Sequence, residues 1–160
     1  MSRAALVHVP GSLVDGSGVR ASPRRLAASF AFDAARARRI ERGGTLRSIS
    51  DTDAADPILA GFAAACETAG VQMPPEIRCR VVSEISLDAG EGSRAVATLA
   101  GVVGARAMLD LPLSDAEVEC IAAAITRSAE RVRASIAAHT CVIHEICDDD
   151  APAPSVATQF

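Results

Sequence analysis

Lysine, tryptophan and tyrosine are absent from this 160-residue chain, and phenylalanine occurs only four times. Without lysine, all sixteen cationic side chains are arginine, so any mechanism that needs a lysine ammonium is excluded, whether for a Schiff base or for a phosphate clamp. The scarcity of aromatic rings argues against nucleic-acid recognition by base stacking. Long apolar runs are missing too. The longest, Ala95 to Ala105, covers eleven residues between Arg94 and Arg106, where a helix crossing a bilayer needs about 20. The five cysteines (Cys66, Cys79, Cys120, Cys141 and Cys147) are odd in number and widely scattered, and no secretory leader pattern precedes them. A disulfide framework is therefore not expected, and the expected compartment is the reducing cytoplasm.

What the chain does have is aliphatic bulk in small units. Its 49% hydrophobic content is carried by Ala, Val, Ile and Leu, which predicts helix-rich packing around one core. Residues 1–147 read as one domain. Residues 148–160, with an acidic triplet and Pro-Ala repeats, read as a disordered tail.

Local signals divide the domain into elements. Ala4 to Val9 predicts a strand stopping at the turn Pro10-Gly11. Leu26 to Phe32 and Thr45 to Ile49 are further strand candidates, with Gly43-Gly44 as a turn before the second; residues 33 to 41 fit either a strand or a helix. Asp56-Pro57 predicts a helix start, since Asp caps orphan N–H groups and Pro at the first helical position has none to lose. That helix buries Ile58, Leu59, Phe62, Cys66 and Ala69 and ends at Gly70. Ile77 to Ile85 alternates as a half-buried strand, and Ala95 to Leu109 reads as a buried helix. Ser114 and Glu117 form a capping box for a helix whose apolar positions run from Val118 through Ile125 and Val132 to Ile136. Thr140 to Ile146 is a final strand candidate.

The segment of greatest chemical interest joins the alternating strand to the buried helix: Ser86-Leu87-Asp88-Ala89-Gly90-Glu91-Gly92-Ser93. A glycine loop that opens a helix presents backbone N–H groups at the positive end of the helix dipole, where phosphate or carboxylate is stabilised. Glycines allow close approach, and Ser93 offers a hydroxyl to an anion or a magnesium ion.

The order of these parts resembles the amino-terminal domain of the GHMP kinases, the superfamily of galactokinase, homoserine kinase, mevalonate kinase and phosphomevalonate kinase. The resemblance rests on Ser83-Glu84-Ile85-Ser86, on Asp88 to Ala95 in place of the loop Gly-x-Gly-Leu-Gly-Ser-Ser-Ala, on the small-residue helix, and on Leu113-Ser114-Asp115. Val9-Pro10-Gly11-Ser12-Leu13 stands where those kinases have a first Ala-Pro-Gly-Lys-Leu motif. The resemblance implies an α+β fold like domain 2 of ribosomal protein S five, with a mixed or antiparallel sheet and helices packed on one face. It further implies ATP and magnesium as cofactors and phosphate transfer to a small alcohol or acid. By the same resemblance Gly90, Gly92, Ser93, Arg94 and Asp88 hold the nucleotide and Ser93 ligates magnesium, while Glu84 matches an acid whose role stays open.

The chain also departs from that pattern. Asp88 replaces a glycine, Glu91 a leucine, Arg94 the second serine and Ser86 a proline. Each added carboxylate opposes a triphosphate by about 1 kcal/mol in a solvated site, and Arg94 offsets one of them. No counterpart of the kinases' catalytic aspartate is found between Arg127 and Asp150, and their carboxy-terminal domain has no counterpart. The expected partners are a nucleotide and a small-molecule substrate, with a homodimer or a second chain carrying the missing half left open. A non-catalytic interaction or ligand-binding domain, with the loop as a mere turn, is the rival reading.

Two other groupings stand out. His139, Cys141, His144 and Cys147 carry metal-capable side chains, but no second ligand pair exists elsewhere and a strand would send them to different faces. Eight arginines from Arg20 to Arg47 face only Asp33 and Glu41, a local charge of +6 in a chain of net charge −4. They read as solvated strand arginines rather than a nucleic-acid surface. His8, inside an apolar strand, reads as a core or edge histidine.

Overall fold

The computed structural model describes residues 2–32, 39–46, 56–86, 90, 92–138 and 140–147. The predicted tail, the metal-capable His139, and Asp88 and Glu91 of the glycine loop lie outside them.

Among the described residues five strands form one mixed sheet. In chain order they are β1 (Ser2–Asp15), β2 (Gly18–Phe32), β3 (Arg39–Gly44), β4 (Ile77–Ser83) and β5 (Cys141–Cys147), with spatial order β3-β4-β2-β1-β5. β3 pairs with β4 in parallel, and every other pairing is antiparallel. The helices are α1 (Pro57–Thr68), α2 (Ser93–Leu109), α3 (Asp115–Thr126) and α4 (Ala129–Ala137). α2 and α4 lie against β1 and β2, while α1 and α3 pack on α2.

The alternation of each strand supplies one wall of the core. Ala5, Val7 and Val9 of β1, Leu26, Ala28 and Phe30 of β2, and Ile77, Cys79 and Val81 of β4 are buried in register with one another. Phe30 stacks obliquely on Phe62 of α1, with ring centroids 5.5 Å apart. That contact reaches past α2 because α2 has glycine where the ring passes: a Cβ on Gly104 would lie 2.2 Å from the Phe30 ring.

Gly101 does the same for backbone. A Cβ there would sit 2.0 Å from the Ile58 carbonyl oxygen, and one on Gly61 would sit 2.2 Å from that of Thr98. α1 and α2 therefore touch main chain to main chain, and the glycines of α2 serve the core of this chain. Burial also raises the thiol pKa of Cys66 and Cys79 above the ordinary range, so both are packing groups rather than nucleophiles.

Several elements depart from expectation. β1 does not stop at Pro10-Gly11 but runs on to Asp15, its register slipping from the pair Pro10↔Arg25 to the pair Ser12↔Ala21. An irregularity is where a strand tolerates proline, which has no N–H to give the ladder. The turn comes instead at Gly16-Ser17, where Asp15 accepts hydrogen bonds from the Ser17 N–H and hydroxyl at 2.9 and 2.5 Å. Gly43-Gly44 is likewise no turn. Both glycines end β3 where it presses on β4, and a Cβ on Gly44 would meet the Ser83 carbonyl oxygen at 2.1 Å. Thr45 and Leu46 follow in a turn, and the rest of the expected strand to Ile49 is outside the described residues.

The basic stretch is not uniformly solvated. The Arg42 side chain is 3% exposed and its Nη2 lies 2.5 Å from Oδ2 of Asp56, itself 5% exposed. Oδ1 of the same carboxylate accepts from the Ile58 and Leu59 N–H groups and caps α1. Arg80 pairs with Glu41 and Arg20 with Asp15 at the surface.

His8 is fully buried on β1. Burial, and secondarily the Arg25 guanidinium, hold its pKa below the usual 6.5. The folded chain therefore binds fewer protons than the unfolded chain once the pH falls through 6.5, and stability declines on the acid side of that value. The urea midpoint of the wild type should be level above about pH 7 and drop between pH 6.5 and 5, a drop that His8→Gln abolishes. Equal acid sensitivity in the two proteins would remove His8 as its source.

Candidate functional site

The glycine loop sits where β4 hands the chain to α2. The exit of β4 is fixed from both sides. The Ser83 hydroxyl accepts from the Ile85 N–H at 3.0 Å, and the Thr45 hydroxyl reaches the Ser83 and Ile85 carbonyl oxygens at 3.1 and 2.6 Å. Glu84 takes part in this framework: its backbone N–H donates to the Arg25 carbonyl at 3.0 Å, and its carboxylate faces the Arg25 N–H at 3.4 Å. Glu84 thus has a place in the main-chain framework of β2.

α2 begins at Ser93 because Gly92 takes a left-handed conformation, φ 70° and ψ 36°, which side chains other than glycine rarely adopt. Space imposes the same choice, since a Cβ on Gly92 would meet the Ser12 hydroxyl at 2.8 Å and the Arg131 guanidinium at 3.0 Å. Among the described residues no side chain caps this end of α2. The first intrahelical bond, from the Val96 N–H to the Gly92 carbonyl, leaves the amides of Ser93, Arg94 and Ala95 at the open, positive end of the helix.

The expected single helix after Ser114 is broken. The capping box forms as predicted, with the Ser114 hydroxyl accepting from the Glu117 N–H at 3.2 Å and the Glu117 carboxylate accepting from the Ser114 N–H at 2.7 Å. The Ser114 N–H and, secondarily, the Ser114 hydroxyl, which both donate to the Glu117 carboxylate at 2.7 Å, hold its pKa below the usual carboxylate range. At Arg127, however, the chain turns left-handed, φ 54°, and a new helix starts after Ser128. The apolar periodicity continues across the break, which hid it. The consequence is a second helix start, α4, with Ser128 making no side-chain capping bond.

Both helix starts open on one cleft of about 300 Å³, lined by Gly90, Gly92, Ser93, Arg94 and Ala95 from the loop and α2, and by Thr126, Ser128 and Arg131 from the α3–α4 junction. Of the predicted site residues, Gly90, Gly92, Ser93 and Arg94 come together here, Ser93 half-buried and Arg94 exposed. Asp88 lies outside the described residues. Arg131 was not foreseen. Its Nη1 donates to the Gly90 carbonyl at 2.7 Å and lies 3.2 Å from both the carbonyl and the hydroxyl oxygen of Ser12, tying α4 to the loop and to β1. None of these lining residues is acidic, and two are cationic. Among the described residues this lining offers three hydroxyls and no carboxylate.

The other candidate cluster gains no support. In the ladder Cys141 stands opposite His8, His144 opposite Ala5 and Cys147 opposite Ser2. Among the described residues no three His, Cys, Asp or Glu side chains group as metal ligands. None of the described helices is long and apolar enough to cross a membrane.

Neither a family model nor a curated protein sequence matches the chain. Solved structures do. Homoserine kinase from Cytophaga hutchinsonii superposes with a TM-score of 0.65 at 16% identity, covering 84% of this chain and 45% of the kinase. A D-glycero-D-manno-heptose 1-phosphate kinase from Bacteriodes thetaiotaomicron gives 0.63 at 14% identity, over 82% and 53% of the two chains. The chain has the fold of the GHMP kinases. Phosphomevalonate kinase from Streptococcus pneumoniae, solved with phosphomevalonate and AMPPNP, gives 0.59 at 13% identity and covers 89% of this chain and 49% of that one. This chain thus spans about half the length of the GHMP kinases it matches.

Proposed function

We propose that the chain is a GHMP-type nucleotide-binding domain that holds the phosphates of ATP, with magnesium, in the cleft between the start of α2 and the start of α4. Shared fold alone does not carry a function. The observation that supports this reading is the glycine-bounded start of α2, uncapped among the described residues, opening on a cleft to which Arg94 and Arg131 bring positive charge. Backbone amides of Ser93 to Ala95 are the phosphate donors, Gly90 and Gly92 allow the approach, Arg94 is an additional anion ligand and the Ser93 hydroxyl ligates magnesium. In fold terms the reading corresponds to the amino-terminal half of a GHMP kinase, built like domain 2 of ribosomal protein S five.

Phosphate transfer to a small alcohol or acid is the reaction this reading implies. Its rate depends on several parts acting at once, and the chain corresponds to about half of a kinase, so transfer is proposed only for an assembly that completes the substrate side. Thermal melting with magnesium-ATP and magnesium-ADP tests the binding step. At a hundredfold excess over the dissociation constant, the wild type should gain about 2.7 kcal/mol of stability, a rise in melting temperature of about 5–11 °C for a chain of this size. Ser93→Arg, which fills the mouth of the cleft, should show no rise. A wild type indifferent to both nucleotides would leave the loop as a structural turn.

A further inference from the structure

Arg131 reaches the glycine loop from a helix 41 residues further on, and β1 from 119 residues away. One nitrogen makes all of these contacts. Nη1 covers the Gly90 carbonyl at 2.7 Å and stands 3.2 Å from the carbonyl and hydroxyl oxygens of Ser12, while Nε and Nη2 have no partner among the described residues. The effect on the cleft is specific. A carbonyl oxygen at the rim of an anion site repels the anion, and here that oxygen already accepts from a guanidinium. The same group sets the loop against Ser12, on the side where Gly92 has no room for a Cβ, and adds one positive charge to the lining. Every permanently cationic side chain available to the site must be an arginine, because the chain has no lysine.

We propose that Arg131 is the positioning residue of this cleft and strengthens its hold on phosphate-bearing anions, by masking the Gly90 carbonyl and Ser12 while contributing its own charge. The proposal rests on the nucleotide-binding reading above and goes beyond it, since it assigns part of the loop's affinity to a residue outside the glycine motif.

Calorimetric titration of the full chain with magnesium-ADP and with pyrophosphate, over a salt series, tests it. Arg131→Met keeps the aliphatic stem and removes the donors and the charge. It should weaken binding of both probes about tenfold or more and flatten the dependence of binding on salt, with the cooperative melting transition retained. Arg131→Lys, which restores a charge and a donor, should recover most of the affinity. Wild-type affinity in Arg131→Met overturns the proposal and leaves the nucleotide reading standing. Equal weakness in the Met and Lys variants also overturns it, by showing that shape alone matters. A wild-type chain that binds neither probe overturns both. If Arg131→Met loses its cooperative transition, Arg131→Gln is measured in its place with the same expected direction, and wild-type binding by that variant likewise overturns the proposal.

Discussion

Replacing Arg42 by methionine should cost about 3–5 kcal/mol of stability, the usual penalty for stripping one partner from a buried ion pair. The reason is what remains. Asp56 is 5% exposed and its carboxylate spans two duties, with Oδ2 toward Arg42 at 2.5 Å and Oδ1 toward the first amides of α1. Without the guanidinium, the cap is left as an uncompensated charge inside the protein. For a chain of this length the loss amounts to a fall of about 6–20 °C in melting temperature. Asp56→Asn, which keeps an oxygen for capping, should restore part of it in the double variant, since no charge is then left unpaired. A single variant within about 1 kcal/mol of wild type would show the pair to be far better solvated than its burial indicates.

Gly101→Ala should be comparably damaging, and its sign is the informative part. In an open helix, alanine is better than glycine by about 1 kcal/mol. At this position the added carbon would stand 2.0 Å from the Ile58 carbonyl oxygen and 2.9 Å from the Phe62 nitrogen, both main-chain atoms of α1. Neither can rotate aside, so the two helices must part and take the packing around Phe62 and Thr98 with them. A loss of about 3 kcal/mol is expected, the upper range for overpacking. Chemical denaturation measures it. An unchanged or raised midpoint would mean that α1 and α2 lie further apart than described.

The elements that were legible beforehand are those whose signals are local. Asp56-Pro57 starts α1, the alternation of Ile77 to Ser83 makes β4, and Ser114 with Glu117 starts α3, each through groups within four residues of one another. The glycine loop and the helix behind it belong to the same class, and Gly90, Gly92, Ser93 and Arg94 line one cleft. Long-range demands were not legible. Gly43 and Gly44 look like a turn in sequence, yet they end β3, and Gly44 is glycine because its φ is positive and the Ser83 carbonyl of β4 approaches closely. Pro10 looks like a terminator and instead marks a register slip within a strand. The stop at Arg127 left no trace, because the residues on either side keep the spacing of one helix while the chain redirects it. Arg131 followed from that omission. On an unbroken helix it reads as one more surface arginine, and only the turn at Arg127 brings it to Gly90 and Ser12.

The place of β1 in the sheet bears on how the chain reaches its native state. β1 precedes the other described strands and is flanked by β2, which follows at once, and by β5, whose pairs run from Ser2↔Cys147 to His8↔Cys141. The hairpin can zip early at small entropic cost. The opposite edge must wait for every element between β2 and β5, and closing so wide a loop is slow. Through that interval β1 presents an unsatisfied ladder of main-chain groups to its surroundings, which makes the nascent chain most prone to wrong pairing just before β5 arrives.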